Sequence, residues 1–157
     1  MIHENYERFI EEHLNKGLLK RQKSNYRTPE TIILRALKDL KTSRANLDID
    51  EGTAYAIAYL AMLRAGRAFM LLKGLRPANG YQHKTVVEFM AYFLGKKFES
   101  LVEHFDRMRK KRNIFTYDVG ISISKTEAKN AISTAAEFVN VIRDIIRRES
   151  PQIQFKF

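Results

Sequence analysis

Residues 51–77 read EGTAYAIAYLAMLRAGRAFMLLKGLRP, and this stretch decides the fold class. Ala54, Ala56, Ala58, Ala61, Ala65, Gly66 and Ala68 are small enough to let another backbone approach closely, and alanine is the best helix former. The pattern predicts a long helix from about Glu51 to Lys73, capped by Asp48 or Asp50. Gly74 is its terminator, because glycine fills the left-handed position after a helix at no steric cost, and Pro77 follows shortly. Such a helix belongs at the centre of a bundle.

Upstream, Thr28 followed by Pro29 and Glu30 reads as an N-cap with proline in the first turn, opening a helix through Leu34, Leu37 and Ala45. Before it, Ile2, Tyr6, Phe9, Ile10, Leu14 and Leu18 keep a helical rhythm over residues 2–21, weakened by Gly17. Downstream, a turn at Leu75–Gly80 leads to a short helix from about His83 to Leu94 and another from about Lys97 to Tyr117, ended by a turn around Asp118–Gly120. Ser124 and Glu127 have the form of a capping box and open a last helix that stops near Ser150–Pro151. That helix carries two apolar stripes, one through Ala128, Ile132, Ala135, Val139, Ile142 and Ile146, the other through Ala131, Phe138 and Ile145. Two stripes predict burial on two sides, against the core and a second subunit or at the centre of a monomer. The tail Gln152–Phe157 alternates apolar and polar residues, as a short strand or an exposed arm does. The expected organisation is an N-terminal helical extension over 1–27, an all-α, up-and-down bundle of about five to six helices over 28–150, and a tail over 151–157.

Composition agrees with one helical domain. The chain has 157 residues, and its seven Gly and three Pro are few for an all-β fold. With no Cys it has no disulfide framework, thiolate nucleophile or Cys-ligated zinc, which suits a reducing, cytoplasmic setting. No apolar run reaches ~18 residues without a charge, so no membrane is expected as a partner. The net charge of +10 makes a polyanion the first partner to consider, since clustered cations release condensed counterions when they bind one.

Arg107, Arg109, Lys110, Lys111 and Arg112 put five cations into the six positions 107–112. Phased at ~100° per residue from Phe98, the apolar residues Leu101, Val102, Phe105 and Met108 occupy an arc from ~280° through zero to ~40°. Arg109 and Arg112 fall inside that arc, whereas Arg107, Lys110 and Lys111 fall on the opposite, solvated face. An inward guanidinium is costly to bury and keeps its proton, so it marks an ion pair, an interface or an anion site, or else snorkels to water near the helix end. Asn113 and Tyr117 are four residues apart and share one helix face beside Arg112. A guanidinium, an amide and a phenol so grouped suit a phosphate and a base; hydrogen bonds that tie off the helix end are the equal alternative. No metal or cofactor is expected. His3 and His13 lack ligand-type neighbours at His-x3-His spacing, His104 phases to the surface, His83 caps or orders the turn before its helix, with ligand contact as the lesser alternative, and phosphate-loop, dinucleotide and serine-hydrolase motifs are absent.

Residues 54–77, AYAIAYLAMLRAGRAFMLLKGLRP, resemble the long helix and Gly/Pro turn of HEPN domains, with His83 where many members have a His opening the next helix. Residues 107–118, RMRKKRNIFTYD, resemble the signature region of that family, and EAKNAISTAAEFVNVI its final helix. The likeness covers about residues 28–149. It implies a small helical bundle, a homodimer, and an RNA- or nucleotide-related role of the kind found in toxin–antitoxin pairs with a minimal nucleotidyltransferase as partner. It also implies that Arg112 is the arginine of the family's Arg-x4–6-His motif and Asn113 its polar neighbour. Tyr117 stands where the His is expected, and no His follows it. A phenol with a reference pKa of about 10 is ionised in only ~0.1% of molecules at pH 7, so Tyr117 suits hydrogen bonding or stacking better than proton abstraction. The expectation is therefore RNA or nucleotide binding through Arg109, Arg112, Asn113, Tyr117 and Asp118. Metal-independent RNA cleavage using Arg112, Asn113 and Tyr117 is one alternative, and a protein-interaction role with structural arginines is another.

Overall fold

The computed structural model describes residues 2–23, 28–78, 82–118 and 120–149. These form α1 (Ile2–Asn15), β1 (Leu19–Arg21), α2 (Pro29–Asn46), α3 (Glu51–Leu72), β2 (Leu75–Pro77), α4 (Gln82–Leu94), α5 (Glu99–Tyr117) and α6 (Lys125–Glu149), with a 3-10 turn at Lys96–Phe98 before α5. The architecture is an all-α bundle carrying one small hairpin, in line with the expected fold class.

Local chemistry sets most boundaries. Thr28 Oγ1 accepts from the Thr31 amide at 3.2 Å while the Thr31 hydroxyl accepts from the Thr28 amide at 3.1 Å, so the Thr28–Pro29 start of α2 stands. Asp50 rather than Asp48 caps α3, accepting from the Gly52 amide at 3.0 Å. Gly74 takes φ +73° after α3, where any Cβ would be strained. Ser124 and Glu127 make the reciprocal bonds of a capping box at the start of α6.

α3 is the centre. It packs against α2 on one side and α6 on another, with α4 and α5 completing its surroundings. Tyr59, Met62, Leu63, Phe69 and Met70 are almost fully buried on it. Burying each such side chain is worth about 1.5–3 kcal/mol relative to exposure. By length and composition α3 is apolar enough to cross a membrane, yet two thirds of its apolar window is buried inside the bundle, and that burial accounts for its composition. The small-residue face works as expected: a Cβ on Gly66 would lie 2.5 Å from Val86 Cγ1, so α4 approaches α3 there more closely than any larger residue permits.

Several expectations need correction. The rhythm over 2–21 is not one helix. Gly17, at φ +71°, ends it: the Gly17 and Leu18 amides return to the Leu14 and His13 carbonyls, and Leu19–Arg21 then forms a strand. Residues 75–77 are likewise a strand instead of a turn, paired antiparallel with β1 so that Leu19 faces Pro77 and Arg21 faces Leu75. Three-residue strands are too short to show a period of two, which is why the pattern missed them. The N-terminal extension is packed, with Phe9 stacked on Tyr92 at 4.2 Å and Tyr6 edge-on to Phe93 at 5.8 Å, tying α1 to α4. Both stripes of α6 are accounted for within one chain, since Ala131 and Phe138 of the second are as buried as the first and only Ile145 is partly open. The stop near Ser150–Pro151 and the tail at 151–157 lie outside the described residues.

Candidate anion site

α5 brings Arg109 and Arg112 inward and α3 supplies the surface they meet. Tyr59 of α3 is 1% exposed, and the Arg112 Cζ lies 6.0 Å from the centroid of its ring, the outer range of a cation–π contact. The Tyr59 hydroxyl is hydrogen-bonded to His83 Nδ1 at 2.9 Å, and His83 sits in the first turn of α4. One residue earlier, Gln82 Oε1 accepts from the Arg67 guanidinium of α3 at 2.8 Å. Two bonds thus hold the start of α4 on α3, and both lie beside arginines.

The electrostatics of this corner are one-sided. Burial pushes the Tyr59 phenol up to about 12, with Arg112, Arg109 and Arg67 pulling the other way. Burial also holds His83 below its ordinary value, helped by the same three arginines. Tyr59 is therefore a neutral phenol at pH 7 and the imidazole favours its neutral form. Burial lowers Arg67 too, but a guanidinium stays charged across the physiological range. No acidic residue lies in the first turn of α4, whose free amides add positive potential.

The cations differ in what neutralises them. Arg109 is bonded to Asp106 through Nε at 3.0 Å and Nη2 at 2.9 Å, and Lys110 reaches the same carboxylate at 3.1 Å. Asp106 is pushed up by burial, but its bonds from Lys110 and Arg109 leave it below the usual carboxylate range. Among the described residues no carboxylate pairs with Arg112 or Arg67, and Arg67 Nε is buried with no partner. Guanidinium groups without a carboxylate beside a neutral Tyr–His pair are chemically suited to an anion.

The other expected site residues are distributed as follows. Asn113 is half-buried on the turn after Arg112, as its phase requires. Tyr117 closes α5, and its side chain lies outside the described part of the structure. Asp118 is exposed, and its Oδ1 accepts from the Gly120 amide at 2.9 Å, so it orders the turn after α5. Lys111 departs from expectation: it is ion-paired with Glu127 of α6 and only 35% exposed, because the edge of its face meets the neighbouring helix. His104 is also not a plain surface residue, since its Nδ1 is bonded to Thr134 Oγ1 at 2.7 Å. His13 bonds the Phe9 carbonyl, and no cluster fit for a metal occurs among the described residues.

Sequence reasoning missed Tyr59 and Arg67, and it read His83 chiefly as ordering the turn, with ligand contact a lesser alternative from the family resemblance. A signal existed for Arg67: it and Arg64 are the only charges between Thr53 and Leu72, and a charge in so apolar a helix needs a partner. A cleft of about 920 Å³ between α4 and α5 is lined by Lys84, Lys96, Arg107, Arg109 and Lys110 and by Glu88, Glu99, Glu103 and Asp106, a rim of nearly balanced charge.

A family model, HEPN domain, matches residues 29–145, and no curated protein or solved structure matches the chain. The match runs from the first turn of α2 to within four residues of the end of α6. It contains Tyr59, Arg67, His83, Arg109 and Arg112 and leaves α1 and β1 outside. Since it covers most of the chain, the protein belongs to the HEPN domain family.

Proposed function

We propose that the protein binds RNA at the corner formed by Arg112, Arg67 and Arg109 over the Tyr59–His83 pair, with Asn113 at its edge. The observation that carries this reading is the charge imbalance: three guanidinium groups bear on one buried phenol–imidazole pair, and only Arg109 has a carboxylate among the described residues. A phosphate oxygen supplies the missing acceptor, and Arg is the residue best shaped to hold it by two parallel bonds. The net charge of +10 favours a polyanion over an uncharged ligand. Fluorescence anisotropy with a labelled single-stranded RNA tests it. Affinity should fall about tenfold or more between about 50 and 200 mM salt. Arg112→Ala should weaken binding at least tenfold and lower the salt slope by about 0.7, the share of one phosphate contact on a single strand. Unchanged binding by Arg112→Ala would remove the site.

One observation favours a second reading, metal-independent cleavage of the bound strand. His83 keeps a neutral imidazole beside Arg112, so a proton acceptor is present although position 117 is Tyr. In that reaction the 2′-oxygen attacks the adjacent phosphorus as its proton passes to the imidazole. The bond from phosphorus to the 5′-oxygen breaks, and that oxygen takes a proton back, leaving a 2′,3′-cyclic phosphate and a 5′-hydroxyl. Incubation of labelled RNA in EDTA distinguishes the readings. Cleavage lost in His83→Gln with binding retained supports turnover, and an intact strand after long incubation restricts the protein to binding.

A further inference from the structure

A second cleft lies beside the Arg112 corner, built by elements that the family match does not fully include. It is bounded by the β1–β2 hairpin, α2, α3 and α4, with a volume of about 200 Å³. Its polar lining is Arg67, Arg76, Gln22 and Gln82, next to the aliphatic Ile32 and Leu71, and among the described residues no carboxylate lines it. The hairpin fixes this wall firmly: the Gln22 amide bonds the Gly74 carbonyl and the Ala78 amide bonds the Leu18 carbonyl, each at 2.9 Å, bracketing the strand pairs. Gln22 comes from the N-terminal extension, so this wall of the cleft is specific to the chain outside residues 29–145.

Two features give the cleft a ligand chemistry. Arg76 has no ion pair among the described residues, and Arg67 Nε is buried without a partner, so no bond must break at that atom when the side chain turns toward a ligand. Volume then limits the ligand. At about 200 Å³ the cleft is below the ~300–1,000 Å³ typical of sites for whole small molecules, so it takes one charged group with a little apolar surface beside it. A phosphate with its sugar edge meets that description: the guanidinium groups face the oxygens, the Gln22 amide supplies a further donor, and Ile32 and Leu71 meet the ribose.

Arg67 connects the two places. It acts electrostatically on Tyr59 and His83 of the first corner and lines the second cleft. We propose that the cleft between the hairpin, α3 and α4 holds a second phosphate of the same RNA strand, so that the ligand is an oligonucleotide lying across Arg67 and not a single nucleotide. This rests on the reading of the Arg112 corner as an RNA site.

The test compares two probes, a fluorescein-labelled uridine decamer followed by anisotropy and uridine monophosphate followed by calorimetry, with wild type, Arg76→Gln, Arg76→Lys and Arg112→Ala. Arg76→Gln should bind the decamer about three- to tenfold more weakly, with a salt slope smaller by about 0.7, the share of one phosphate contact on a single strand. Monophosphate binding should be unchanged in that variant, and Arg76→Lys should recover most of the decamer affinity. Arg112→Ala should lose both ligands. If Arg76→Gln binds the decamer as wild type does while Arg112→Ala fails, the second cleft is wrong and the first site stands. If Arg112→Ala binds both ligands normally, the functional reading itself falls. If Arg76→Gln loses both ligands together with thermal stability, Arg76 is a structural member of the hairpin and the proposal is overturned.

Discussion

Arg64 and Arg67 stand three residues apart on α3 and meet opposite surroundings. Arg64 reaches across to α2 and is ion-paired with Asp39, a carboxylate whose side chain is 4% exposed and which Arg35 also approaches at 3.5 Å. Arg67 turns toward α4, where it bonds the Gln82 amide oxygen and acts on the Tyr59 phenol and the His83 imidazole, the pair on which Arg109 and Arg112 of α5 also act. In the first region each guanidinium has a carboxylate to face, and the pair locks two helices together. The second carries net positive charge that folding alone leaves uncompensated, and a protein tolerates such a region where a ligand supplies the balance. Helix position therefore says little about what a buried arginine is for. What faces it decides.

The comparison breaks first at Asp39. Asp39→Ala removes a buried carboxylate and leaves Arg64 facing a gap between α2 and α3, while the exposed Arg35 turns to water. Breaking a buried pair costs ~3–5 kcal/mol, and the 28% exposure of Arg64 lets water recover part of that, so a loss of about 2–3 kcal/mol is expected in urea unfolding. RNA affinity of the folded fraction should stay within about twofold. A large affinity loss would show that the two regions are one network.

Gly66 lies between the two arginines and gives the next largest effect. Gly66→Ala drives a Cβ into Val86 of α4, an overpacking worth about 1–3 kcal/mol. Because α4 carries Gln82 and His83, its displacement should also weaken RNA binding, whereas the Asp39 pair is made by α2 and should persist. Arg112→Ala sharpens the contrast further. Removing one of several like charges should leave the unfolding free energy unchanged within about 0.5 kcal/mol or raise it slightly, whatever it does to binding. A destabilisation above about 1 kcal/mol would mean that Arg112 belongs with Arg64 as a structural cation.

How far these regions are legible in sequence follows from the range of the forces involved. Thr28, Asp50, Gly74 and Ser124 bond to their own neighbours, so helix boundaries can be read from short motifs. Arg112 can be placed inward because α5 is regular enough to keep phase over its whole length. Lys111 shows where that stops, since an angle around a helix does not say whether Glu127 of another helix is within reach. The hairpin joins residues 19–21 to 75–77 across two helices and offers only three residues on each strand, so pairing is decided by tertiary packing. Tyr59, Arg67 and His83 were illegible as a site for the same reason, because their meeting depends on how closely α4 sits on Gly66.

The smallest expected effect is the pH dependence of the two properties in opposite directions. His83 faces Tyr59 and Arg67 from α3 and Arg109 and Arg112 from α5, and burial followed by those arginines lowers its pKa. A histidine lowered in the folded state takes up its proton more readily when unfolded, so its contribution to stability is present above the ordinary value of ~6.5 and is lost as pH falls below it. His104, lowered by burial and by Arg107, adds to stability with the same sign but lies on the α6 side, bonded to Thr134. A bound phosphate reverses the preference at His83 alone, because an imidazolium beside an anion is favoured where one beside three arginines is not. Free protein should therefore unfold more easily as pH drops from about 7.5 to 5.5, while RNA affinity, measured over the same range at constant salt, should rise. His83→Gln should flatten the affinity profile and part of the stability profile, and His104→Gln only the latter. The effect is small because the imidazole is about half-buried, so water screens much of each interaction. If affinity falls with pH in wild type and His83→Gln alike, His83 lies outside the anion's reach and the positive corner is made by the arginines alone.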